Sequence, residues 1–295
     1  MPVKITRTVD LPYLPPGRII TLPGRGEIFV RHHEHVDPTR PTLLLLHGWT
    51  ASADTQFFTA YEALARDYSF IAVDHRGHGR GLRPNRPFSL EECADDAAEV
   101  ARTLGAHSVI TVGYSMGGPI STLVWHRHPD LVAGMVFQAT AMEWNATRSE
   151  RMRWRMGRVL GPMFRGLTTP RTLRIAIARV VPRGHELHRF VPWIIGEIRR
   201  NDRWMVSEAG RALSRYDARS IVPRIAVPTS VVLTLRDRLV APSKQRALAD
   251  ASRAHVVDLD GDHFVTLEQP REYADVTRRA VDHVAGRVAG PGSGW

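Results

Sequence analysis

Ser115 lies in the pentapeptide 113–117, Gly-Tyr-Ser-Met-Gly, directly after a run rich in β-branched residues at 108–112. The residues that follow favour a helix, so the order predicts a strand, a sharp turn and a helix, with the serine on the turn. Such a turn projects the serine Oγ away from the sheet, and the flanking glycines leave room for the crowded backbone. The pentapeptide therefore predicts a serine placed to act as a nucleophile. The pattern is short enough to occur by chance, so the prediction depends on finding its partners.

A serine hydroxyl is a weak nucleophile at neutral pH. It needs a general base within hydrogen-bond reach, and the base needs an acidic group that fixes its tautomer. Asp237 and His263 come later in the chain, and like Ser115 they follow predicted strands. Since the carboxyl ends of parallel strands lie at one edge of a sheet, we expect Ser115, Asp237 and His263 to meet there as nucleophile, acid and base.

Strands and helices alternate along most of the chain, which predicts an α/β fold with a mostly parallel central β-sheet flanked by helices. Two short runs around a Pro-Gly-Arg-Gly turn also predict an antiparallel hairpin near the start. The helix predicted from Ser89 to Leu104 begins with a capping box, in which the Glu92 carboxylate reaches back to the Ser89 N–H. Apolar or β-branched runs predict the strands 18–22, 27–31, 42–46, 68–73, 108–112, 131–139, 229–235 and 255–259.

The serine turn, the order Ser, Asp, His, the His-Gly-Trp sequence at 47–49 and the turn at 74–79 together resemble the α/β-hydrolase family over nearly the whole chain. In that family the serine turn is the nucleophile elbow. The resemblance implies an oxyanion hole formed by the backbone N–H groups of Trp49 and Met116. It also makes Glu143 the alternative acid, since some members place the acid after the sixth strand.

The resemblance also implies how the chain is divided. Residues 143–220 interrupt the alternation of strands with a long helix-favouring stretch that contains tryptophans, methionines and arginines. They match the helical cap, or lid, that hydrolases of this fold insert after the sixth strand. The α/β-hydrolase core domain would then comprise residues 1–142 and 221–295. One departure from the family pattern is Arg80, which stands where many members have serine.

The activity implied is that of a serine hydrolase, resembling carboxylesterases and lipases, which cleaves carboxylic esters through an acyl-enzyme without a metal or organic cofactor. The substrate would be a small-molecule ester with an apolar acyl group. Carbon-carbon bond hydrolases, cofactor-free haloperoxidases or perhydrolases, and acyltransferases share the same triad and remain alternatives. A binding protein on a hydrolase scaffold is the alternative outside enzymes. Dehalogenases and epoxide hydrolases of this fold use an aspartate nucleophile, so Ser115 argues against them.

The net charge of +10 is confined to one part of the chain. Between Arg148 and Arg219 there are 17 Arg, no Lys and 6 acidic residues, so 17 − 6 = +11, and the rest of the chain sums to −1. No zinc ligands or recognition helix accompany these arginines, so a nucleic-acid partner is not expected. A solvated helical face is the plain interpretation, and weak association with an anionic membrane surface is the alternative.

The sequence predicts no membrane span, secretory signal, internal disulfide or metal site. No apolar run approaches the roughly 20 residues that a membrane-spanning helix needs. The first residues lack the apolar segment of a secretory signal, which predicts a cytoplasmic location. The single cysteine, Cys93, cannot form an internal disulfide and is expected to be a buried packing residue. His32, His33 and His35 lie close together without a supporting set of ligands, so no metal site is predicted.

Overall fold

The computed structural model describes residues 9–152, 154–156 and 169–288 of the 295-residue chain. Within these residues one sheet contains eight strands, in the spatial order β1-β2-β4-β3-β5-β6-β7-β8. The strands are β1 Gly17–Leu22, β2 Gly26–His33, β3 Thr42–Leu46, β4 Ser69–Val73, β5 Val109–Tyr114, β6 Val132–Gln138, β7 Thr229–Thr234 and β8 His255–Leu259.

The strand directions match the prediction. β1 and β2 form an antiparallel hairpin, and β2 pairs antiparallel with β4. All later neighbours in the sheet are parallel, from β4-β3 through β7-β8. The prediction of a mostly parallel sheet with an antiparallel hairpin is therefore confirmed. The parallel arrangement brings the carboxyl ends of β3, β5, β6, β7 and β8 to one edge.

Helices cover both faces of the sheet and bury its apolar strands. Two helices, at residues 53–65 and 270–285, pack on one face with one group of core residues, and two others, at residues 90–103 and 117–127, pack on the other face with a second group. Continuous apolar strands such as β3 need this double cover. The helices whose whole range is described are α1 Ala53–Ala65, α2 Leu90–Thr103, α3 Gly117–Arg127, α4 Pro170–Val180, α5 Val191–Ile198, α6 Arg203–Leu213, α7 Pro242–Ser252, α8 Val265–Glu268 and α9 Pro270–Ala285.

Only one of the two hydrogen bonds of the predicted capping box is present at the start of α2. Ser89 Oγ accepts a hydrogen bond from the Glu92 N–H at 3.3 Å, as a capping box requires. The Glu92 carboxylate, however, pairs with the guanidinium groups of Arg76 and Arg86 instead of reaching back to the Ser89 N–H. A charged donor holds a carboxylate more strongly than a neutral amide does. Cys93, one residue later, is buried, which confirms its expected packing role.

The chain between β6 and β7 contains α4, α5 and α6. Its two ends meet, since Glu143 and Asp217 form an antiparallel bridge and the Ala218 N–H donates to Met142 O at 2.8 Å. An insertion that leaves and rejoins the core at one place would have this geometry. The cap boundary at 143–220 stays a prediction. Residues 157–168 of the proposed cap, and residues 1–8 and 289–295 of the proposed core, lie outside the described residues.

Candidate active site

Ser115 lies at the tight turn between β5 and α3. Its backbone has φ 52°, in the left-handed region that residues other than glycine rarely adopt. Gly113 and Gly117 are required because a side chain at either position would have no room. A Cβ on Gly113 would come within 2.4 Å of Gly117 O, and a Cβ on Gly117 within 1.9 Å of Leu46 O. The turn is fixed further by hydrogen bonds from the Ser115 N–H to Gln138 O at 2.9 Å and from Thr140 Oγ1 to Ser115 O at 2.7 Å.

His263 follows β8 and faces the serine. Its Nε2 lies 3.1 Å from Ser115 Oγ. Two further hydrogen bonds hold its backbone. The Tyr114 hydroxyl donates to His263 O at 2.8 Å, and the His263 N–H donates to Asp262 Oδ1 at 2.7 Å. Asp262 Oδ1 also accepts the Arg238 N–H at 3.0 Å, so the loop that carries His263 is tied to the loop that follows β7.

Asp237 follows β7 and completes the line of side chains. Its Oδ2 lies 2.8 Å from His263 Nδ1. A carboxylate in this position keeps the imidazole proton on Nδ1, which leaves Nε2 free to accept the serine proton. Ser115, His263 and Asp237 are thus brought together in the order in which they were expected to act.

Four other donors fix the Asp237 carboxylate, whose side chain has no solvent exposure. Oδ1 accepts the N–H groups of Leu239 and Val240, each at 2.8 Å. Oδ2 accepts the Thr234 hydroxyl at 3.0 Å and Gln245 Nε2 at 3.2 Å. With both oxygens occupied in this way, the carboxylate cannot rotate away from the imidazole without losing several hydrogen bonds.

Glu143, the alternative acid, has a different environment. Its carboxylate pairs with Lys244 Nζ at 2.8 Å and accepts the N–H groups of Asn145 and Ala146 at 3.2 and 3.0 Å. Lys244 also pairs with Glu150 at 2.5 Å. These contacts stabilise the start of the insert, and they give Glu143 no hydrogen bond to His263.

The predicted oxyanion donors are the backbone N–H groups of Met116, which directly follows the serine, and of Trp49, which follows Gly48. Among the described residues, neither N–H has a hydrogen-bond partner. Met116 also precedes α3, whose N-terminal dipole favours negative charge. Gly48 allows the first loop to approach, because a Cβ there would lie 3.2 Å from Ser115 Cβ. Both N–H groups are therefore free to donate a hydrogen bond, as the predicted oxyanion hole requires.

A cluster of three buried histidines, His47, His75 and His78, lies beneath the Trp49 loop. The ring of His47 lies 4.2 Å from that of His75 and 5.4 Å from that of His78. His47 Nδ1 lies 2.8 Å from Gly48 O, and His47 Nε2 accepts the His75 N–H at 2.9 Å. Accepting this N–H requires neutral His47 with its proton on Nδ1. It then donates to Gly48 O and helps to hold the loop.

Burial makes protonation of these rings unfavourable. It lowers the pKa of His75 to about 3 and that of His78 to about 4, with the neighbouring positive groups acting in the same direction. The pKa of His47 also lies well below its usual value because of burial and the two other histidines. The cluster therefore stays neutral at physiological pH.

Exposed apolar side chains stand on the loops that carry the site. Trp49 is 37% exposed, Leu235 and Leu239 are 43% and 53% exposed, and Phe264 is 47% exposed. Trp49 belongs to the loop after β3, the two leucines flank Asp237, and Phe264 follows His263. Apolar groups left in water at the same sheet edge as Ser115 offer a contact surface to an apolar ligand.

The sequence predicts Ser115, Asp237, His263, Trp49 and Met116 as site residues, but it does not predict the residues that hold them in place. Tyr114 lies within the predicted elbow and Asp262 immediately precedes His263, so their positions were a usable signal. Gln245 and Thr140 had no such signal, because each reaches the site from another element.

No group of three or more His, Cys, Asp or Glu in the described part of the chain is arranged to hold a metal ion. None of its helices is long and apolar enough to cross a bilayer.

Parts of the chain are similar in sequence to known hydrolases. The model of the alpha/beta hydrolase fold family matches residues 41–170. The chain is 35% identical to 2-(acetamidomethylene)succinate hydrolase of Mesorhizobium japonicum over 96 residues, which are 32% of this chain and 34% of that protein. It is also 35% identical to the pimeloyl-[acyl-carrier protein] methyl ester esterase of Sodalis glossinidius over 99 residues, 34% of this chain and 36% of that protein. The matched stretches span about a third of these relatives.

A solved structure extends the comparison to most of the chain. The esterase EaEST of Exiguobacterium antarcticum aligns with a TM-score of 0.77 and 19% identity, covering 90% of this chain and 100% of that one. This likeness concerns the fold. The stretch that the family model matches contains Trp49, Ser115 and Met116, whereas Asp237 and His263 lie beyond it.

Proposed function

From the match of residues 41–170 to the alpha/beta hydrolase fold family and from the geometry of the site, we propose that the chain is a serine hydrolase of this family that cleaves carboxylic esters through an acyl-enzyme. The observation that carries this proposal is the continuous line of side chains Ser115–His263–Asp237, with spacings of 3.1 and 2.8 Å. A nucleophile, a base and an orienting acid in hydrogen-bond contact are what acyl transfer through serine requires.

In the first half of the reaction, Ser115 Oγ attacks the ester carbonyl while His263 Nε2 accepts the hydroxyl proton. Asp237 stabilises the imidazolium that forms. The carbonyl oxygen becomes negative and is bound by the N–H groups of Trp49 and Met116. One donor of this kind contributes about 3 to 4 kcal/mol to the transition state. Collapse of the intermediate expels the alcohol, which takes its proton from His263 Nε2, and leaves the acyl group on Ser115.

In the second half, a water molecule attacks the acyl-enzyme. His263 Nε2 accepts a proton from the water, the same two N–H groups bind the second oxyanion, and the carboxylic acid leaves as the proton returns to Ser115 Oγ. Neither half requires a group other than this chain, the ester and water. The exposed side chains Trp49, Leu235, Leu239 and Phe264 support an apolar acyl or alcohol group as part of the substrate.

Hydrolysis of p-nitrophenyl esters of rising acyl length tests the proposal. The wild-type protein should hydrolyse members of the series, and Ser115→Ala should lose at least about 10³-fold in kcat/KM while remaining folded. Ser230→Ala is the matched control, since Ser230 is a fully buried serine elsewhere in the sheet and its hydroxyl has no partner among the described residues. A Ser115→Ala variant within tenfold of wild type would disprove the nucleophile. A wild-type protein that neither hydrolyses the esters nor reacts with a fluorophosphonate would favour a binding protein.

We also propose that α4 contacts anionic membrane surfaces. Arg171, Arg174 and Arg179 are exposed at helical spacing on one side of α4, together with Ile175, which is 54% exposed. Ile177, three residues after Arg174, is buried and marks the edge of this exposed face. Among the described residues these three arginines have no acidic partner within ion-pair distance, unlike Arg200, Arg211 and Arg219 in the same insert, which are paired with acidic side chains. Unpaired arginines around an exposed apolar residue are typical of a helix that lies at a lipid interface.

Vesicle binding tests this surface. Each arginine near an anionic bilayer contributes about 1 kcal/mol, and the attraction falls off over a Debye length of about 8 Å at physiological salt. The protein should therefore sediment with phosphatidylserine vesicles and not with phosphatidylcholine vesicles, and added salt should weaken binding. The variant R171A/R174A/R179A should lose this binding. The control R66A/R246A/R279A removes the same charge from the surface of the proposed core domain and should keep it. Equal binding to both vesicle types, or by both variants, would show that these arginines only solvate the insert.

A further inference from the structure

The second half of the insert touches the loop that carries the Trp49 N–H. Asn201 lies between α5 and α6, and its Nδ2 donates to Thr50 O at 2.6 Å. Its Oδ1 accepts the Gly79 N–H at 2.8 Å. One amide group therefore joins the turn after β3 to the turn after β4. Both of its hydrogen-bonding ends are used, and each end reaches a backbone atom of the core.

Thr50 is held in an unfavourable conformation. Its φ is 67°, in the left-handed region where a β-branched residue is under steric strain. The Asn201 amide binds the carbonyl of this same residue. The Thr50 carbonyl and the Ala51 N–H belong to one planar peptide group, and the Ala51 N–H donates to Gly48 O at 3.3 Å. Gly48 O and the Trp49 N–H also share one peptide group, so rotation of the Thr50 carbonyl alters the direction of the Trp49 N–H. An external hydrogen bond to Thr50 thus opposes the relaxation that would misdirect the oxyanion donor.

The Trp49 side chain is bound by the same segment. Its indole Nε1 donates to Val206 O in α6 at 2.8 Å. The ring lies against Gly210, where an added Cβ would come within 2.8 Å of Trp49 Cζ2. Asn201 and α6 therefore hold the Trp49 loop at two successive residues, one through the Thr50 carbonyl and one through the Trp49 indole.

We infer that Asn201 is a positioning residue for the oxyanion hole, through which the insert sets the direction of the Trp49 N–H. This inference rests on the proposed esterase function. The insert would then help to stabilise the transition state, in addition to any contact that it makes with the substrate. A donor that is misdirected binds the oxyanion less well but leaves the ground-state ester unaffected, so kcat should fall while KM stays unchanged.

The substitution Asn201→Asp separates this role from a general structural one. Aspartate has nearly the same shape and still accepts the Gly79 N–H, but it cannot donate to Thr50 O. We expect kcat on a p-nitrophenyl ester to fall by about tenfold or more, with KM within twofold of wild type. Affinity for a boronic acid that mimics the tetrahedral intermediate should fall by a similar factor. Asn85→Asp, at an exposed turn, makes the same change in charge and should behave as wild type.

A second-site change tests the strain. Glycine adopts positive φ without penalty, so Thr50→Gly in the Asn201→Asp background should recover part of the lost kcat. Asn201→Ala provides the same kcat and KM test where Asn201→Asp does not fold. The inference is wrong if kcat of the Asn201 variants stays within twofold of wild type, if the loss lies in KM, or if Thr50→Gly gives no recovery. A wild-type protein without esterase activity would overturn the proposed function and this inference together, whereas an active wild type with an equally active Asn201→Asp would overturn this inference alone.

Discussion

The hydroxyl of Tyr114 donates a 2.8 Å hydrogen bond to the backbone carbonyl of His263. Tyr114 is the residue before the proposed nucleophile, and His263 is the proposed base, so the bond links the two partners through the residues that carry them. The rings of Tyr114 and His263 also meet edge to face at 5.7 Å. The distance between Ser115 Oγ and His263 Nε2 therefore depends on Tyr114 as well as on the acid.

Removing only this hydroxyl should slow the reaction. Tyr114→Phe keeps the ring contact and loses one buried hydrogen bond, which contributes about 0.5 to 1.5 kcal/mol. We expect kcat/KM for a p-nitrophenyl ester to fall by about two- to tenfold. Tyr273→Phe is the matched control, because its buried hydroxyl is 3.2 Å from Gln138 Oε1 and touches neither Ser115 nor His263. An equal loss of rate in both variants would mean that Tyr114 acts through general stability.

The identity of the acid gives a second prediction. Asp237→Asn should lower kcat by about 10⁴-fold, because an amide in this position no longer holds His263 in the tautomer that accepts the serine proton. Glu143→Gln should leave kcat within threefold of wild type, since Glu143 is paired with Lys244. Steady-state kinetics of both variants measure the difference. A severe loss in Glu143→Gln with a mild loss in Asp237→Asn would assign the acid to Glu143.

The sequence carried enough information to place Ser115, Asp237 and His263, because the elbow is a local pattern and each of the other two follows a strand that is recognisable by itself. It did not carry the contacts that position them. Asn201 is 151 residues from Thr50, and Gln245 reaches Asp237 from α7. Such contacts depend on how helices dock, which is decided by packing over the whole fold and not by local propensity.

Glu92 is the clearest case in which local reasoning was wrong. Its spacing from Ser89 is that of a capping box, and only the folded chain brings Arg76 and Arg86 beside it. Arg80 is a second case. It departs from the usual family residue, and in the structure it joins Asp54 of α1 to Glu197 of α5, at 3.4 and 2.7 Å. Arginine at this position therefore links α1 to α5, which the sequence of the turn alone does not predict.

The buried charge of Arg76 gives a prediction about stability. Arg76 is 2% exposed and pairs with Asp96, which is also buried, and with Glu92. Arg76→Met would leave the buried Asp96 carboxylate with the partly exposed Arg25, at 2.8 Å, as its remaining partner. Removing one member of a buried pair costs at most about 3 to 5 kcal/mol, and Arg25 should reduce this loss to about 2 to 3 kcal/mol. Urea unfolding should show this loss. Arg66→Met, at a side chain that is 72% exposed, should change the free energy of unfolding by less than about 1 kcal/mol. A loss of similar size in both variants would contradict the argument.

The histidine cluster should make the protein sensitive to acid. The pKa of His75 is lowered to about 3 and that of His78 to about 4 by burial, and that of His47 is also well below 6.5. Below pH 6.5 the unfolded chain therefore binds protons that the folded chain does not, and stability falls as the pH is lowered. Each histidine contributes up to about 1.4 kcal/mol per pH unit in this window. Asp74, whose pKa burial raises to about 6, acts in the opposite direction between pH 6 and 3.8.

Three histidines outweigh one aspartate, so the free energy of unfolding should fall between pH 6.5 and 4.5. Urea midpoints at unit intervals of pH measure it. His78→Gln removes one titrating group and should make the fall less steep, whereas His126→Gln, at an exposed position, should leave the slope unchanged. A free energy of unfolding that is constant from pH 7.5 to 4.5 would show that the cluster does not control acid stability.

The most direct test of the account is to isolate the covalent intermediate. The protein is mixed with excess p-nitrophenyl acetate, quenched in acid within the first turnovers, digested and analysed by mass spectrometry. An acyl-enzyme mechanism predicts a burst of p-nitrophenol and one acetyl group, 42 Da by the chemistry of acetylation, on the peptide that contains Ser115. Both should be absent in Ser115→Ala and present in Ser230→Ala. Ester hydrolysis with no acyl group on Ser115, or with an acyl group on another residue, would contradict it.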